Sequence, residues 1–593
     1  MKPSRLNWLA LGGAGILLLL FTLQGLAFIR ASGQTSDEAV HLVAGYSYLT
    51  RHDFRLSPDH PPLIEELSAL LVYIVYRIPF QPDERLWSMA EQWQTGRDFL
   101  YRSPVSWERI LSVARLPNLL LGALLCALMG WWAFRLWGPA AALVAMGLSA
   151  FEPNLIAHSG LVTADIGAAL FIFLTVYLLW EYVQSPSWPR LAGVAVATGL
   201  GLVSKFSCVL LVGILPGVAL LHVMAGGALP LPGTPKTGAR GGAAARALEA
   251  VAPLFLILLA AALVIPFAYL LAGGSEWLVG LKGVLTHQRT GHMAFFWGEY
   301  STKGWWLYFP VAVLIKTPVG TLLMMLASIV LWRVGKTPPH RDTIFLFLPV
   351  VLLFVVASGG KLNIGLRHIL PVYPFLIVAA SRLASLRLPR PGWWAALLIA
   401  PIALTAVSSL RAAPYQLAYF NELVGGPGEG YRYLSDSNID WGQALKELKQ
   451  YMDREGLPMI YLSSFSNAPP SALGIRYQYV PAFGHLDRPA LDTVPEGSPR
   501  EILAVSVTNL QGVYFKDKNL FRWLYRRTPV AKIGFAIYVY DITGDAEAHL
   551  RLAEAYLRMG PRALAVPELR KVLAQEPGNA EAARLLAELA SSP

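Results

Sequence analysis

Long apolar runs recur along the first 410 residues of the chain, with short polar segments between them. A helix of about 20 residues crosses the roughly 30 Å hydrocarbon core of a membrane. Runs of this order lie at residues 8–29, 110–134, 138–156, 160–180, 190–204, 206–224, 250–272, 305–332, 343–358, 366–381 and 393–410. The pattern predicts a mainly α, polytopic membrane domain over residues 1–410, with about eleven spans.

Beyond residue 410 the apolar runs become shorter and the periodicity changes. A helix-like stretch at 441–454 is followed by strand-like runs at 459–464, 502–508 and 531–540. Residues 411–545 are therefore predicted to form a small α/β domain.

The tail, residues 546–593, has the pattern of a tetratricopeptide repeat. The packing positions of such a repeat are occupied by Leu552, Ala553, Tyr556, Ala565 and Pro577. One repeat buries little surface alone, so we expect this short helical tail to act as a cap or as a docking surface for a protein partner. Pro567 is expected to disturb the second helix.

Composition supports a membrane protein and excludes several other classes. Hydrophobic residues make up 55% of the chain, charged residues 15%, and the mean hydropathy is +0.46, values that exclude an ordinary soluble protein. The net charge is +11, but the bases are scattered through short loops, which favours anionic lipid or phosphate over nucleic acid. Cys126 and Cys208 lie in apolar runs and offer no disulfide framework.

Loop charges predict the orientation. With the amino terminus inside, the inner loops hold about thirteen bases and the short outer loops about six. The first apolar run is longer than the ~7–15 residues of a signal-peptide core, so we interpret it as an uncleaved span. The prediction is a multi-pass protein of the inner or plasma membrane, with a cytoplasmic amino terminus and an extracytoplasmic α/β domain. Residues 31–109 then form a long outer loop.

This orientation gathers acids, imidazoles and bases from separate outer segments on one side of the membrane. They are Asp37, Glu38, His41, Asp59, His60, Glu152, His158, Asp165, Lys205, His287, Arg289, His292, Lys303, Lys361, Arg367 and His368. An ionised carboxylate at a helix centre opposes insertion by roughly 2.5–3.5 kcal/mol, so Asp165 indicates a wet, protein-lined pocket.

Acids beside bases at a membrane surface suit an anionic, lipid-linked substrate. Carboxylates can take a proton from a hydroxyl, while Lys, Arg and His can receive a phosphate leaving group. A divalent metal ion held by His60 and an acid could share the second task. No other cofactor is expected.

Several motifs, in order, resemble those of one family of membrane enzymes. They are DEAVHLVAGYSYL followed by HPPL, then HSGLVTAD, GHMAFFWGEYSTKGWWLYFPVAVLIKTP and GLRHILPVYPF. Together, over roughly residues 7–410, they resemble bacterial members of the protein-O-mannosyltransferase and aminoarabinose-transferase superfamily, the glycosyltransferases of the C fold. NELVGGPGEGYRYLSDSNIDWGQALKELKQYM is similar to a segment that follows the membrane part in one bacterial branch.

The resemblance implies a hexosyl- or pentosyltransferase that uses a polyprenyl- or dolichyl-phosphate sugar on the extracytoplasmic side. Asp37, with Glu38 beside it, matches the family's catalytic acid, and this implies a general base in an inverting single displacement. Asp165 matches a second acid, expected to position acceptor or sugar.

The resemblance also implies donor-binding residues. His60 corresponds to a residue near the lipid phosphate or a metal, and Arg367 with His368 is expected to clamp the phosphate. Lys205 and His292 are further candidates. The sugar, the carrier length and the acceptor, which could be a protein, a glycan or a lipid, stay open.

Other interpretations compete with these assignments. Asp37 and Glu38 are also typical of a helix start. Asp165 could instead form a hydrogen bond between two helices, and Lys205 could lie at the membrane interface with its amino group in water. A transporter or flippase of a lipid-linked anion would also need buried ionisable groups, but such proteins commonly show two similar halves. The sequence shows no internal repeat. A scaffold that recruits partners through its tail leaves Asp165 unexplained.

Overall fold

A computed structural model of the chain describes residues 5–234, 243–270, 275–334, 340–386, 391–484 and 492–591. The chain divides into two compact units. Unit 1 consists of Met1–Arg30, Asp37–His292 and Ser301–Gly426, and unit 2 of Ala31–Ser36, Met293–Tyr300 and Pro427–Pro593.

Unit 1 is helical, apart from short connecting segments. Its α-helices are Arg5–Ala31, Glu38–Arg51, Leu63–Tyr76, Glu84–Ser88, Gln92–Tyr101, Trp107–Trp137, Pro139–Ala150, Pro153–Ser159, Asp165–Gln184, Trp188–Leu202, Leu211–Met224, Ala243–Ala268, Ser275–Thr290, Tyr308–Lys316, Val319–Val330, His340–Gly359, Val372–Ser381 and Pro391–Ala412. Its 3₁₀ turns are Phe206–Leu210, Leu366–Ile369, Arg382–Ser385, Gln416–Ala418 and Glu422–Val424.

The predicted apolar runs correspond to these helices. Within the described residues, seven helices are long and apolar enough to cross a membrane, or up to nine if each of two bent pairs is one span. The remaining two predicted runs are the shorter helices Trp188–Leu202 and Val372–Ser381. The chain is thus a multi-pass, mainly helical membrane protein.

Prolines explain why two predicted spans are broken. The pair Pro139–Ala150 and Pro153–Ser159 bends by 66°, and the pair Tyr308–Lys316 and Val319–Val330 bends by 117°. Proline lacks the N–H for the helical hydrogen bond, so each second segment starts anew at or after Pro153 and Pro318.

The predicted long loop 31–109 is largely folded, with four helices between Glu38 and Tyr101. Helices Glu38–Arg51 and Leu63–Tyr76 contact each other closely, since a Cβ on Gly45 would lie 2.1 Å from the Glu65 carbonyl oxygen. This close approach, possible only for glycine, sets residues of the two helices side by side.

Unit 2 contains two sheets. The strands are β1 Ala294–Phe296, β2 Glu299–Ser301, β3 Ile460–Ser463, β4 Tyr477–Tyr479, β5 Ile502–Ser506, β6 Ala531–Ile533 and β7 Ile537–Asp541. β1 and β2 form a hairpin, and the other five form a mixed sheet in the order β4-β3-β5-β7-β6. β3 is parallel to β4 and β5, while β7 is antiparallel to β5 and β6.

The α-helices of unit 2 are Leu445–Glu455, Val507–Leu510, Ala546–Met559, Ala565–Gln575 and Ala580–Ser591. Its 3₁₀ turns are Pro427–Arg432, Asp436–Asn438, Pro470–Leu473, Arg522–Arg526 and Arg562–Leu564. The small sheet region predicted after the membrane part is confirmed. The predicted run 531–540 is the hairpin β6–β7, because Gly534 and Phe535 turn the chain with positive φ.

The tail forms a helical hairpin followed by a third helix. Leu552, Ala553, Tyr556 and Ala565 are buried, as the repeat pattern requires, although the repeat itself stays a prediction. The expected effect of Pro567 was wrong, since it lies in the first turn of Ala565–Gln575, where its missing N–H has no helical partner to lose.

Candidate active site

Asp37 stands at the start of helix Glu38–Arg51, as the sequence indicates, but its carboxylate does not cap that helix. The residue has φ −88° and ψ −19°, and its side chain makes no capping hydrogen bond. Its Oδ2 lies 3.7 Å from Nη1 of Arg367 and remains partly exposed. The carboxylate is therefore directed to Arg367 and still reachable by a ligand.

Glu38 has a different environment from its neighbour. It is fully buried and accepts hydrogen bonds from Nε and Nη2 of Arg115, at 2.7 and 2.6 Å, and from the Val162 backbone N–H at 2.9 Å. Arg115 also donates to the Ile29 carbonyl. These contacts join the helix start to three other segments of unit 1.

Asp165 is the first residue of helix Asp165–Gln184 and is 1% exposed. Lys205 Nζ donates to its Oδ1 at 2.5 Å, Arg367 Nη1 lies 4.0 Å from its Oδ2, and His158 Nδ1 lies 3.9 Å from the same oxygen. The helix N-terminus adds a positive potential at the carboxylate. Asp37 and Asp165, which are 128 positions apart in the chain, thus both lie within 4.0 Å of one guanidinium nitrogen.

Several buried polar atoms beside this guanidinium have no hydrogen-bond partner among the described residues. They are Asp165 Oδ2, His158 Nδ1 and His368 Nε2. Burial, and then the Arg367 charge, lowers the pKa of His368 well below its usual range, so this imidazole is neutral. Buried polar groups are normally satisfied, so such a gathering indicates unused hydrogen-bonding capacity beside Arg367.

His60 belongs to a second group of polar residues. His41, His60 and Glu65 place one ligand atom each within 4.8 Å of one another, and the two imidazole rings meet edge to face at 4.5 Å. His41 Nδ1 lies 2.7 Å from Glu65 Oε1, which also accepts from the Ser57 hydroxyl. Burial opposes the charge on His41, but the Glu65 contact outweighs it and raises the His41 pKa, while burial raises that of Glu65.

Two imidazoles and a carboxylate are donors that suit Zn²⁺ or a similar divalent ion. Burial, with the neighbouring His41 and Lys205 charges, keeps the pKa of His60 well below its usual range, so its ring is in the neutral form that binds metals. The structure thus contains a possible His/Glu metal site.

The structure brings together most of the residues singled out from the sequence. His292 is in another local group, where its ring stacks on His287 at 5.9 Å. Sequence analysis placed His158 on the same face without a role, and it did not single out Arg115 or Glu65. A basic residue inside the apolar run 110–134 was the available signal for Arg115, because a buried charge requires a partner.

Comparisons with known proteins address the class. Residues 33–275 match the family model described as dolichyl-phosphate-mannose-protein mannosyltransferase. The match includes Asp37, His60, Asp165 and Lys205 and ends before His292, Arg367 and His368. No curated protein matches the chain.

Solved structures of two other proteins share a likeness with the chain. ArnT from Cupriavidus metallidurans bound to undecaprenyl phosphate is 13% identical, with a TM-score of 0.48 over 91% of this chain and 98% of that chain. AglB from Archaeoglobus fulgidus, an oligosaccharyltransferase in complex with an inhibitory peptide and a dolichol-phosphate, is 13% identical, with a TM-score of 0.41 over 74% of this chain and 58% of that chain. These likenesses carry no assignment of residues.

The family match confirms the class predicted from the motifs. Over residues 33–275, which is less than half of the chain, the protein is thus similar to a family of glycosyltransferases.

Proposed function

We propose that the protein transfers a sugar from a polyprenyl-phosphate donor to an acceptor hydroxyl on the extracytoplasmic face. The observation that supports this most strongly is that Asp37 and Asp165 both lie within 4.0 Å of one nitrogen of Arg367, beside buried polar atoms that have no partner among the described residues. The family match and the lipid phosphates named for the ArnT and AglB structures agree with such a donor.

In this proposal Asp37 is the general base. Its carboxylate takes the proton of the acceptor hydroxyl as that oxygen forms a bond to the anomeric carbon. The bond from the anomeric carbon to the phosphate oxygen breaks at the same time, and the polyprenyl phosphate leaves with the electron pair. Attack from the opposite face inverts the configuration. Glu38 has a positioning role, because its oxygens are engaged by Arg115 and Val162.

The cationic residues serve the leaving phosphate. Arg367 is 12% exposed and has a forked set of donors that suits phosphate oxygens. Lys205 and Asp165 form an ion pair that holds the negative carboxylate in the buried site, where it is available to position acceptor or sugar. His368 can donate or accept at the same place, and His292 stays a predicted contributor.

A divalent ion fits this proposal as an aid to donor binding. His41, His60 and Glu65 would hold it, and it would neutralise phosphate charge. Because His41 and Glu65 share a hydrogen bond at 2.7 Å, metal binding has to displace their proton. We expect His60→Asn to lower bound metal measured by elemental analysis, while exposed His52→Asn retains it. Equal metal content in both variants would exclude this site.

The acceptor and the sidedness belong to the proposal as well. A peptide acceptor agrees with the family description and with the peptide-bound AglB structure. The base asymmetry of the loops places the site and unit 2 outside the cytoplasm. The tail, as a repeat-like helical hairpin, is the proposed contact for a protein partner.

The decisive experiment supplies purified protein with radiolabelled polyprenyl-phosphate sugars and a panel of acceptors that includes peptides. We expect Asp37→Asn to reduce turnover by about 10²–10⁴-fold, the range of general-base catalysis, with donor binding retained. Glu84→Gln, an exposed acid in the same segment, is the matched control and should keep full turnover. Normal transfer by Asp37→Asn would refute its role, and donor movement across vesicles without transfer would identify a flippase instead.

A further inference from the structure

Unit 2 encloses a cavity of about 1200 Å³ that the proposed transfer chemistry does not use. Its walls come from the β1–β2 hairpin, the turn at 431–433, the stretch 518–527 and the first tail helix, Ala546–Met559. All the lining residues belong to unit 2. The cavity exceeds the ~300–1,000 Å³ of ordinary small-molecule pockets, so it suits an oligomeric ligand.

The walls of this cavity are strongly basic. Among the described residues, seven Lys and Arg side chains line it, and Glu547 and Glu554 are the acids that do so. Most of these bases form ion pairs, but Lys518, Arg522 and Arg526 pair with no carboxylate of a described residue. Lys518 donates to the Val513 carbonyl, and Arg522 to Asn519. The cavity therefore carries positive charge that its own acids do not neutralise.

Aromatic faces stand among these charges. Trp297 and Tyr525 remain 59% and 44% exposed, and Trp523 lies beside them in the lining. Such exposure of large aromatic rings in a concave site is typical of a binding surface.

The backbone at Trp297 supports a role for its ring. Trp297 and Gly298 form the two-residue turn between β1 and β2, with φ values of +52° and +86°. This turn favours Asn, Asp or Gly, and a bulky residue there is strained. The Trp297 N–H bonds to the Tyr433 carbonyl at 2.9 Å, and its ring meets that of Tyr433 edge to face. The fold thus holds a tryptophan at a position that is unfavourable for one.

We propose that this cavity binds an anionic oligosaccharide, one that carries carboxylate or phosphate groups. The C–H faces of sugar rings are apolar and slightly positive, and they lie well against the negative faces of aromatic rings. The unneutralised Arg and Lys side chains bind the acidic substituents. A purely acidic peptide such as oligoglutamate would satisfy the charges but has no ring face to place against the exposed indole. The inference concerns unit 2 alone and is independent of the proposed transfer reaction.

The test is calorimetric titration of the full-length protein in detergent with a hexagalacturonate. We expect binding that weakens with salt, and none of comparable strength with neutral maltohexaose. The double variant Arg522→Gln/Arg526→Gln should lower affinity about tenfold or more, since it removes two charge-assisted contacts. Trp297→Ala should lower it about tenfold, while Trp297→Phe keeps most of the affinity.

A matched control removes the same charge elsewhere in unit 2. Arg454→Gln/Arg476→Gln changes two exposed bases outside the cavity and should leave affinity unchanged. Thermal unfolding checks that each variant is folded. Absence of hexagalacturonate binding, or equal losses in both double variants, overturns the proposal. Binding of hexaglutamate as tightly as hexagalacturonate, with no effect of Trp297→Ala, overturns the assignment to a saccharide.

Discussion

Replacing Glu38 by Gln tests whether this acid is a structural anchor or part of the catalytic machinery. The substitution removes a charge that sits between Arg115 and the Val162 N–H and is 0% exposed. The new amide nitrogen would face guanidinium donors, so one hydrogen bond is lost and the Arg115 charge is left buried. Breaking a buried pair in this way costs about 3–5 kcal/mol.

The expected shift in unfolding temperature follows from the size of unit 1. An unfolding entropy of about 2.1 cal/mol/K per residue, over roughly 400 residues, gives about 1.2 °C per kcal/mol. Glu38→Gln should then lower the melting temperature by about 4–6 °C in detergent, measured by scanning fluorimetry. Glu84→Gln, which changes an exposed acid, is the control and should stay within about 1 °C.

A double variant separates the two roles of Glu38. Glu38→Gln/Arg115→Met removes both charges and should recover most of the lost stability, with a coupling of about 2–3 kcal/mol. The same double variant should recover transfer activity if Glu38 only positions the helix start. Full stability of the single variant, or recovered stability without any recovered activity, would refute this reasoning.

Two further predictions follow from single contacts. Arg367→Ala should raise the donor KM more than it lowers turnover at saturating donor, because the guanidinium holds phosphate in the ground state as well as in the leaving group. Steady-state kinetics with varied donor concentration test this. A loss of turnover with an unchanged donor KM would contradict it. Burial opposes the charge on His549, but contacts to Glu501 and Glu568 raise its pKa to about 9. The protonated His549 therefore stabilises the folded tail fully below the unfolded-state pKa of about 6.5, and this stabilisation is lost as the pH rises through about 9. Proteolysis of the tail should increase between pH 7 and 10. In the His549→Gln variant the protease should cleave the tail equally at both pH values. The same pH dependence as in the wild type would contradict the role given to His549.

The sequence indicated residues of the candidate site where the signal was chemical and local. Two such signals are Asp165 in an apolar run and the Asp37–Glu38 pair directly after one. Both are recognisable in the sequence because a charged side chain next to hydrocarbon costs free energy. Sequence reasoning could not separate the roles of Asp37 and Glu38, which are adjacent in the chain. One makes a contact with Arg367, while the other is paired with Arg115, 77 positions away.

The positions and lengths of the apolar runs determined the membrane domain, since hydrophobic burial and the length needed to cross a membrane act on each segment separately. Only the tertiary structure decided that residues 31–109 are folded, that His60 stands with His41 and Glu65, and that Arg367 lies within 4.0 Å of two acids. These contacts join residues far apart in the chain, and no local periodicity records them. Their physical cause is the packing of whole helices, such as the close approach at Gly45 that brings Glu65 beside His41.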